Sequence, residues 1–220
     1  MRPSPRQIWV LVAGVFLLMT GITLVAPILP LYAREFGVSR TAAGGLISAF
    51  AGARLGFDLV GGVAADRVGA RRVMVWAALL VTATSVGAAL APNYLVLLVT
   101  RVGEGIGSAA FATATMQLIV ITTPKDRLGR TMALYQTGLI GGIAVGPVIG
   151  GYAAQLGDFS TPFWIYAGLG LLVAALAWFF VAGAAPAGRT FAETYRAAGG
   201  LLSSPAFLGL LFVSFSLFIM

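Results

Sequence analysis

Six long apolar runs follow one another along the chain, and each is long enough to cross a lipid bilayer as a helix. A spanning helix needs about 20 residues to cover roughly 30 Å of hydrocarbon. Strands of a membrane barrel would instead show alternating segments of about ten residues. These runs are longer and do not alternate, so the sequence predicts an all-α bundle. They lie at 8–32, 42–65, 73–91, 95–121, 132–154 and 162–181.

Composition supports the same class and excludes others. The chain is 59% hydrophobic and 10% charged, against about 25% charged residues in soluble domains. It contains no Cys and no His, which removes disulfides, the commonest metal ligand and the usual pH switch. No metal site, cofactor or enzyme activity is therefore expected, and any proton chemistry must fall to carboxylates. We expect an integral protein of the lipid bilayer.

The distribution of Lys and Arg predicts the orientation, because cytoplasmic loops carry an excess of both. With the N-terminus inside, ten of the 14 Lys and Arg residues are cytoplasmic, two are outside and two lie within spans. We expect a multi-pass protein of the cell (plasma) membrane with a cytoplasmic N-terminus. The net charge of +7 then reflects topology and attraction to anionic lipid, and it does not indicate a nucleic-acid partner.

Three regions are predicted along the chain. Residues 1–183 form a six-helix unit, 184–204 form a cytoplasmic linker, and 205–220 begin a seventh spanning helix that is cut off. Gly-Gly-Val-Ala-Ala at 61–65 and Gly-Gly-Tyr-Ala-Ala at 150–154 echo each other. Repeats of three spans must be inverted, since three is an odd number of crossings. The expected partners are a missing C-terminal half or a second copy.

Two pairs of opposite charges lie inside the apolar runs. Arg101 and Glu104 are three residues apart, and Arg54 and Asp58 are four apart, so each pair can share one helix face. Such charges usually face a bundle interior or a wet cavity. Glu104 is a candidate to carry a coupling proton, with Arg101 tuning its affinity, although a buried ion pair that only fixes helix register explains the same spacing. The other candidates for lining a cavity are Gln117 and Gln136.

Three motifs occur in order along the chain. Segment 62–72 reads Gly-Val-Ala-Ala-Asp-Arg-Val-Gly-Ala-Arg-Arg, segment 101–107 reads Arg-x-x-Glu-Gly-x-Gly, and segment 142–151 reads Gly-x-x-x-Gly-Pro-x-x-Gly-Gly. Together they resemble the major facilitator superfamily. The first is similar to its signature G-x-L-A-D-R-x-G-R-R/K, with departures at Ala64 and Ala70. The second is similar to R-x-x-Q-G-x-G, with Glu104 in place of Gln, and the third looks like the motif of proton-coupled antiporters.

The resemblance implies a cytoplasmic gate at the first motif. A carboxylate at the end of its own helix opposes the helix dipole, so Asp66 needs a partner such as Arg67, Arg71 or another helix N-terminus. In the family this Asp docks on the second half, and Asp126 pairs with Arg71. A solvated turn and simple capping by Asp126 are the alternatives. The predicted gate residues are Gly62, Asp66, Arg67, Gly69, Arg71, Arg72 and Asp126.

The third motif lies on a run of glycines at intervals of four, a spacing that lets a neighbouring backbone approach closely. Proline within a helix predicts a bend. Close packing alone explains the glycines, while the added Pro and second Gly favour the antiporter motif. Its residues are Gly142, Gly146, Pro147, Gly150 and Gly151.

The expected architecture is therefore one half of a facilitator fold, with a three-plus-three inverted repeat and the start of a seventh helix. The expected function is secondary active transport of a small solute by alternating access, as efflux in exchange for protons. A uniporter or symporter of the same superfamily, a non-transporting fragment and a half-size subunit remain the alternatives. The sequence does not name the solute.

Overall fold

The computed structural model describes residues 5–156 and 158–183, and this part of the chain folds into seven α-helices. The predicted linker at 184–204 and seventh span at 205–220 lie outside the described residues. Five helices are long and apolar enough to cross a membrane, and the bent α3 makes a sixth. The helices are α1 (Pro5–Val25), α2 (Leu29–Glu35), α3 (Arg40–Val68), α4 (Ala70–Ala89), α5 (Tyr94–Thr122), α6 (Lys125–Leu156) and α7 (Thr161–Phe180).

Local chemistry sets the helix boundaries. The Ser39 hydroxyl accepts the Ala42 N–H at 3.2 Å at the start of α3, and the Asn93 side chain accepts the Val96 N–H at 3.0 Å at the start of α5. Such caps satisfy backbone donors that have no partner within the helix. Between α3 and α4 the chain turns at Gly69, whose φ of 98° favours glycine because other residues meet a steric clash there.

The first predicted span, 8–32, is wrong as a single helix. α1 ends at Val25 and the short α2 begins at Leu29. Pro27 has no N–H to donate and disfavours helical geometry in the residue before it, which explains the break. The α2 segment packs on the bundle through Tyr32, whose hydroxyl donates to the Ala88 carbonyl of α4 at 3.2 Å. The fifth span also begins earlier than predicted, because α6 starts at Lys125.

The six long helices pack as a row of neighbours in the order α3, α5, α4, α7, α1, α6. The first three spans (α1, α3, α4) correspond in order to the last three (α5, α6, α7). Exchanging each helix with its counterpart gives the same row read in the opposite direction, so every helix keeps equivalent neighbours. The exchange turns the α3–α5 contact into α6–α1 and the α4–α5 contact into α7–α1, while α4–α7 maps onto itself. The packing therefore has the pseudo-twofold pattern of a three-plus-three repeat.

The contacts of individual glycines confirm this repeat in register. Gly61 of α3 lies against Thr113 of α5, and Gly150 of α6 lies against Leu24 of α1. The glycines and their neighbours are both separated by 89 positions (150 − 61 and 113 − 24). A second contact repeats with the same offset: Gly105 of α5 lies against Ala53 of α3, and Gly142 of α6 lies against Phe16 of α1. Here Ala53 corresponds to Gly142 and Gly105 corresponds to Phe16, so the glycine is on the opposite partner in each contact. The fold is the predicted inverted-repeat bundle.

Candidate functional site

Arg101 and Glu104 form an ion pair inside the bundle, as their spacing on α5 predicts. Arg101 is 2% exposed and Glu104 is 0% exposed. The Ser85 hydroxyl of α4 donates to the Glu104 carboxylate at 3.0 Å. A buried charge is tolerated when it is both paired and hydrogen-bonded, and this carboxylate has both partners. The pair therefore joins α4 to α5 in a site closed to water.

Aromatic rings complete the surroundings of this pair. The Arg101 guanidinium lies over the Phe50 ring of α3 at 4.7 Å, a cation–π contact. Tyr166 of α7 is close enough to interact electrostatically with Glu104 and Arg101. Its hydroxyl is buried without a hydrogen-bond partner among the described residues. Sequence reasoning missed Ser85 and Tyr166, because a lone hydroxyl in an apolar span carries no motif.

Arg54 and Asp58 do not form the predicted ion pair. Both side chains are half-buried on α3, and no contact within 4.0 Å joins them in the part of the chain that the structure describes. Their charges still act on each other, and both act on Tyr135, a buried side chain of α6. The charges of α3 thus act electrostatically on a side chain of α6, the helix at the other end of the row.

Neither of the two nearby arginines offered as possible partners pairs with Asp66 in the part of the chain that the structure describes. Asp66 is 8% exposed in the last turns of α3, and its carboxylate accepts a hydrogen bond from the Gln117 amide of α5. Arg67 is exposed, and Arg71 is engaged elsewhere. Gln117, a sequence candidate for lining a cavity, joins the gate motif of α3 to α5.

Arg71 holds the end of α7. Its guanidinium donates to the Trp178 carbonyl and lies over the Trp178 ring at 5.3 Å. Cations stabilise helix C-termini, where carbonyl oxygens are unpaired. The predicted pairing of Arg71 with Asp126 is not found. Asp126 lies in the first turn of α6, not before it, and its exposed carboxylate is 3.8 Å from the Arg127 guanidinium.

Three other predicted residues have simpler surroundings. Arg72 and Gln136 are exposed, and the Gly62 position faces open space. The described residues contain no group of three or more acidic side chains that could hold a metal ion.

The structure divides the predicted antiporter motif into two faces of α6. Gly142, Gly146 and Gly150 pack directly on the α1 backbone, so that an added Cβ would meet Phe16, Thr20 or Leu24 main-chain atoms. On the other face, Pro147 is exposed and the Gly151 position has no neighbouring atom within 4 Å. The helix continues unbroken through the proline. Only Gly142, Gly146 and Gly150 are thus needed for close approach within this unit.

Comparison with known proteins identifies the family. The sequence profile of the Major Facilitator Superfamily matches residues 11–220. The chain therefore belongs to the Major Facilitator Superfamily, and it is a multi-pass membrane protein of a transporter family.

Curated relatives include drug-efflux proteins. The chain is 29% identical over 167 residues to the quinolone resistance protein NorA of Staphylococcus aureus. It is 32% identical over 172 residues to the multi-drug resistance efflux pump PmrA of Streptococcus pneumoniae. In both cases the match covers 76% of this chain and 43% of the relative. The matched region thus spans less than half the length of these relatives.

Solved transporters share the fold. A crystal structure of a peptide transporter, POT, gives a TM-score of 0.76 at 20% identity, covering 96% of this chain and 48% of that chain. The human organic anion transporter MFSD10 gives a TM-score of 0.73 at 18% identity, covering 85% of this chain and 50% of that chain. These likenesses establish the half-transporter fold.

Proposed function

We propose that the intact protein exports a small solute in exchange for protons by alternating access. The observation that carries the proposal is a set of charged side chains inside the membrane bundle: the buried Arg101–Glu104 pair and the half-buried Arg54 and Asp58. An anchor or a purely structural bundle does not need such charges, which are costly in lipid and typical of ion pathways. The names of the two curated relatives support efflux over uptake.

The solute site is proposed between this unit and a second one, near the middle of the membrane. The second unit is a C-terminal half or another copy of this chain. Half-buried Arg54 and Asp58 then belong to the cavity surface, because their side chains are incompletely covered by the described helices. The Arg101–Glu104 pair lies behind that surface.

The Asp66 segment is proposed as the cytoplasmic gate. Its carboxylate accepts a hydrogen bond from Gln117 of α5, so the gate residue is already engaged within this unit when a second unit docks. Arg71 ties the same loop to the end of α7. The orientation with a cytoplasmic N-terminus in the plasma membrane is part of this proposal, supported by the positive-inside count.

Transport in proteoliposomes tests the proposal. The intact protein is reconstituted with an acidic interior, and a fluorescent quinolone is added outside as the probe, chosen because one relative is a quinolone resistance protein. We expect uptake above that of protein-free liposomes, and loss of that excess when an ionophore collapses the pH gradient. Excess uptake that is indifferent to the gradient indicates a uniporter and contradicts proton exchange. No excess with any of a panel of quinolones and cationic dyes contradicts export of such solutes.

A further inference from the structure

We infer that Asp58 is the carboxylate that exchanges the coupling proton, and that its charge sets the bend of α3 and thereby the position of the Asp66 gate. This inference rests on the proposed proton exchange and adds the residue and the moving element. Three observations carry it: the accessibility of Asp58, the charges around it, and its place in the helix.

Glu104 and Asp58, the two candidate coupling carboxylates, differ in their accessibility to water. A coupling carboxylate must receive a proton from water on one side and release it to water on the other. Glu104 is 0% exposed and is held by both Arg101 and Ser85, so a proton can reach it only if that site opens. Asp58 is half-buried and has no hydrogen bond or ion pair among the described residues. Its carboxylate oxygens are therefore free to form an O–H bond with a proton from cavity water and to break it again.

Charged groups surround Asp58, so its protonation state changes the electrostatic interactions at this point of α3. Arg54, four residues earlier, attracts the ionised carboxylate, and the Tyr135 ring of α6 is close enough to sense both charges. On α5, which packs along α3, the pair Arg101 and Glu104 is engaged with itself, and Arg101 covers Phe50, eight positions before Asp58. The short α2 and the helix α4 contact α3 as well, and their charged residues are Arg34, Glu35, Arg71 and Arg72.

The place of Asp58 in α3 links this charge to the gate. Within the continuous helix α3, the axes of the segments Thr41–Asp58 and Val60–Val68 differ by 47°, so Asp58 lies at the end of the first segment. Gly62, four positions after Asp58, has no atom within 4 Å of an added Cβ, and a glycine there gives the backbone freedom to change direction. The segment beyond the bend carries Asp66 and its bond to α5. A change in the bend angle therefore moves the gate carboxylate relative to the outer part of the helix.

Two states follow. With Asp58 ionised, attraction to Arg54 and hydration of the carboxylate keep the bend region polar and open to cavity water. With Asp58 protonated, the neutral side chain can be covered by apolar neighbours, and Arg54 loses its counter-charge. The bend then relaxes and the Val60–Val68 segment shifts. Proton binding and release by one side chain thus alternate two positions of the gate.

Distance measurement between spin labels tests the inference in the intact protein. The 220-residue sequence contains no Cys, so cysteines introduced at Val68 and Gly129 are the only thiols within it. Val68 is 45% exposed at the end of the moving segment, and a side chain at Gly129 on α6 meets open space. Distances are recorded at about pH 5 and about pH 8, so that the protein is compared under conditions that favour proton binding and proton release.

We expect two distance populations whose ratio changes about tenfold between these pH values, the equivalent of about 1.4 kcal/mol. Asp58→Asn should give the acidic distribution at both pH values, and Asp58→Glu should keep the response because it still titrates. Asp158→Asn is the matched control, since it removes an exposed carboxylate outside the helices.

Two outcomes overturn the inference: an Asp58→Asn protein that keeps the wild-type response, or a response that Glu104→Gln abolishes and Asp58→Asn does not. Failure of the proposed function is recognised separately, as quinolone uptake indifferent to the pH gradient. A pH-dependent bend without proton-driven uptake would refute the coupling role of Asp58, but it would still support the control of the α3 bend by the charge of Asp58.

Discussion

Substitution of two neighbouring glycines gives a sharp test of the contact between α1 and α6. A methyl group at Gly150 would overlap the Leu24 carbonyl of α1, whereas one at Gly151 meets no atom within 4 Å. Overpacking of this kind costs about 1–3 kcal/mol. At an open helical position, Ala is favoured over Gly by up to about 1 kcal/mol. We therefore expect Gly150→Ala to destabilise the protein and Gly151→Ala to leave it unchanged or stabilise it.

The helix-propensity gain is the same for both substitutions, so the free energies of unfolding of the two variants should differ by the overpacking cost, about 1–3 kcal/mol. For a chain of this length, 1 kcal/mol shifts the midpoint by about 2–4 °C, so the two midpoints should differ by at least about 2 °C. Thermal unfolding in detergent, followed by the fluorescence of the four Trp residues, measures this difference. Equal midpoints for both variants would show that α1 and α6 do not approach as closely as described.

Three further substitutions test other parts of the molecule. A cysteine at Ser39 should react with an impermeant thiol reagent outside intact cells, and one at Lys125 only after the membrane is opened; the reverse pattern contradicts the orientation. Arg101→Ala should lower the unfolding free energy by about 3–5 kcal/mol, because Glu104 loses its buried counter-charge; an unchanged thermal midpoint refutes that assignment. Asp66→Asn should shift the intact protein toward the inward-open state by about five- to thirtyfold, the equivalent of losing 1–2 kcal/mol. Unchanged thiol reactivity on the cytoplasmic side argues against a gate.

Much of the fold can be predicted from the sequence, because a helix that spans lipid can be recognised from its own apolar composition. Any spanning segment must be about 20 apolar residues, so the spans are visible without knowing their neighbours. The Arg101–Glu104 contact was predictable for a related reason, since its geometry depends only on positions within one helix. The break after α1 was missed because apolar residues continue through Pro27 while the backbone does not.

Contacts between helices were not predictable in the same way. The bond between Asp66 and Gln117 joins residues 51 positions apart, and it depends on how α3 and α5 are rotated about their axes. From the sequence, a nearby arginine, another helix N-terminus and the second half all remained possible partners of Asp66. Likewise, the motif 142–151 reads as one unit in sequence, although its glycines lie on two faces of α6 and only one face meets α1.

The arginine that caps α7 has a mechanical consequence. Arg71 lies two residues after the Gly69 turn and is bonded to the Trp178 carbonyl near the C-terminal end of α7. Arg6, at the other side, lies over the Phe180 ring at 4.5 Å. A displacement of the C-terminal end of α7 would therefore act on the turn between α3 and α4 through the guanidinium of Arg71. Because that turn directly follows the segment that carries Asp66, the end of this unit is mechanically linked to its gate.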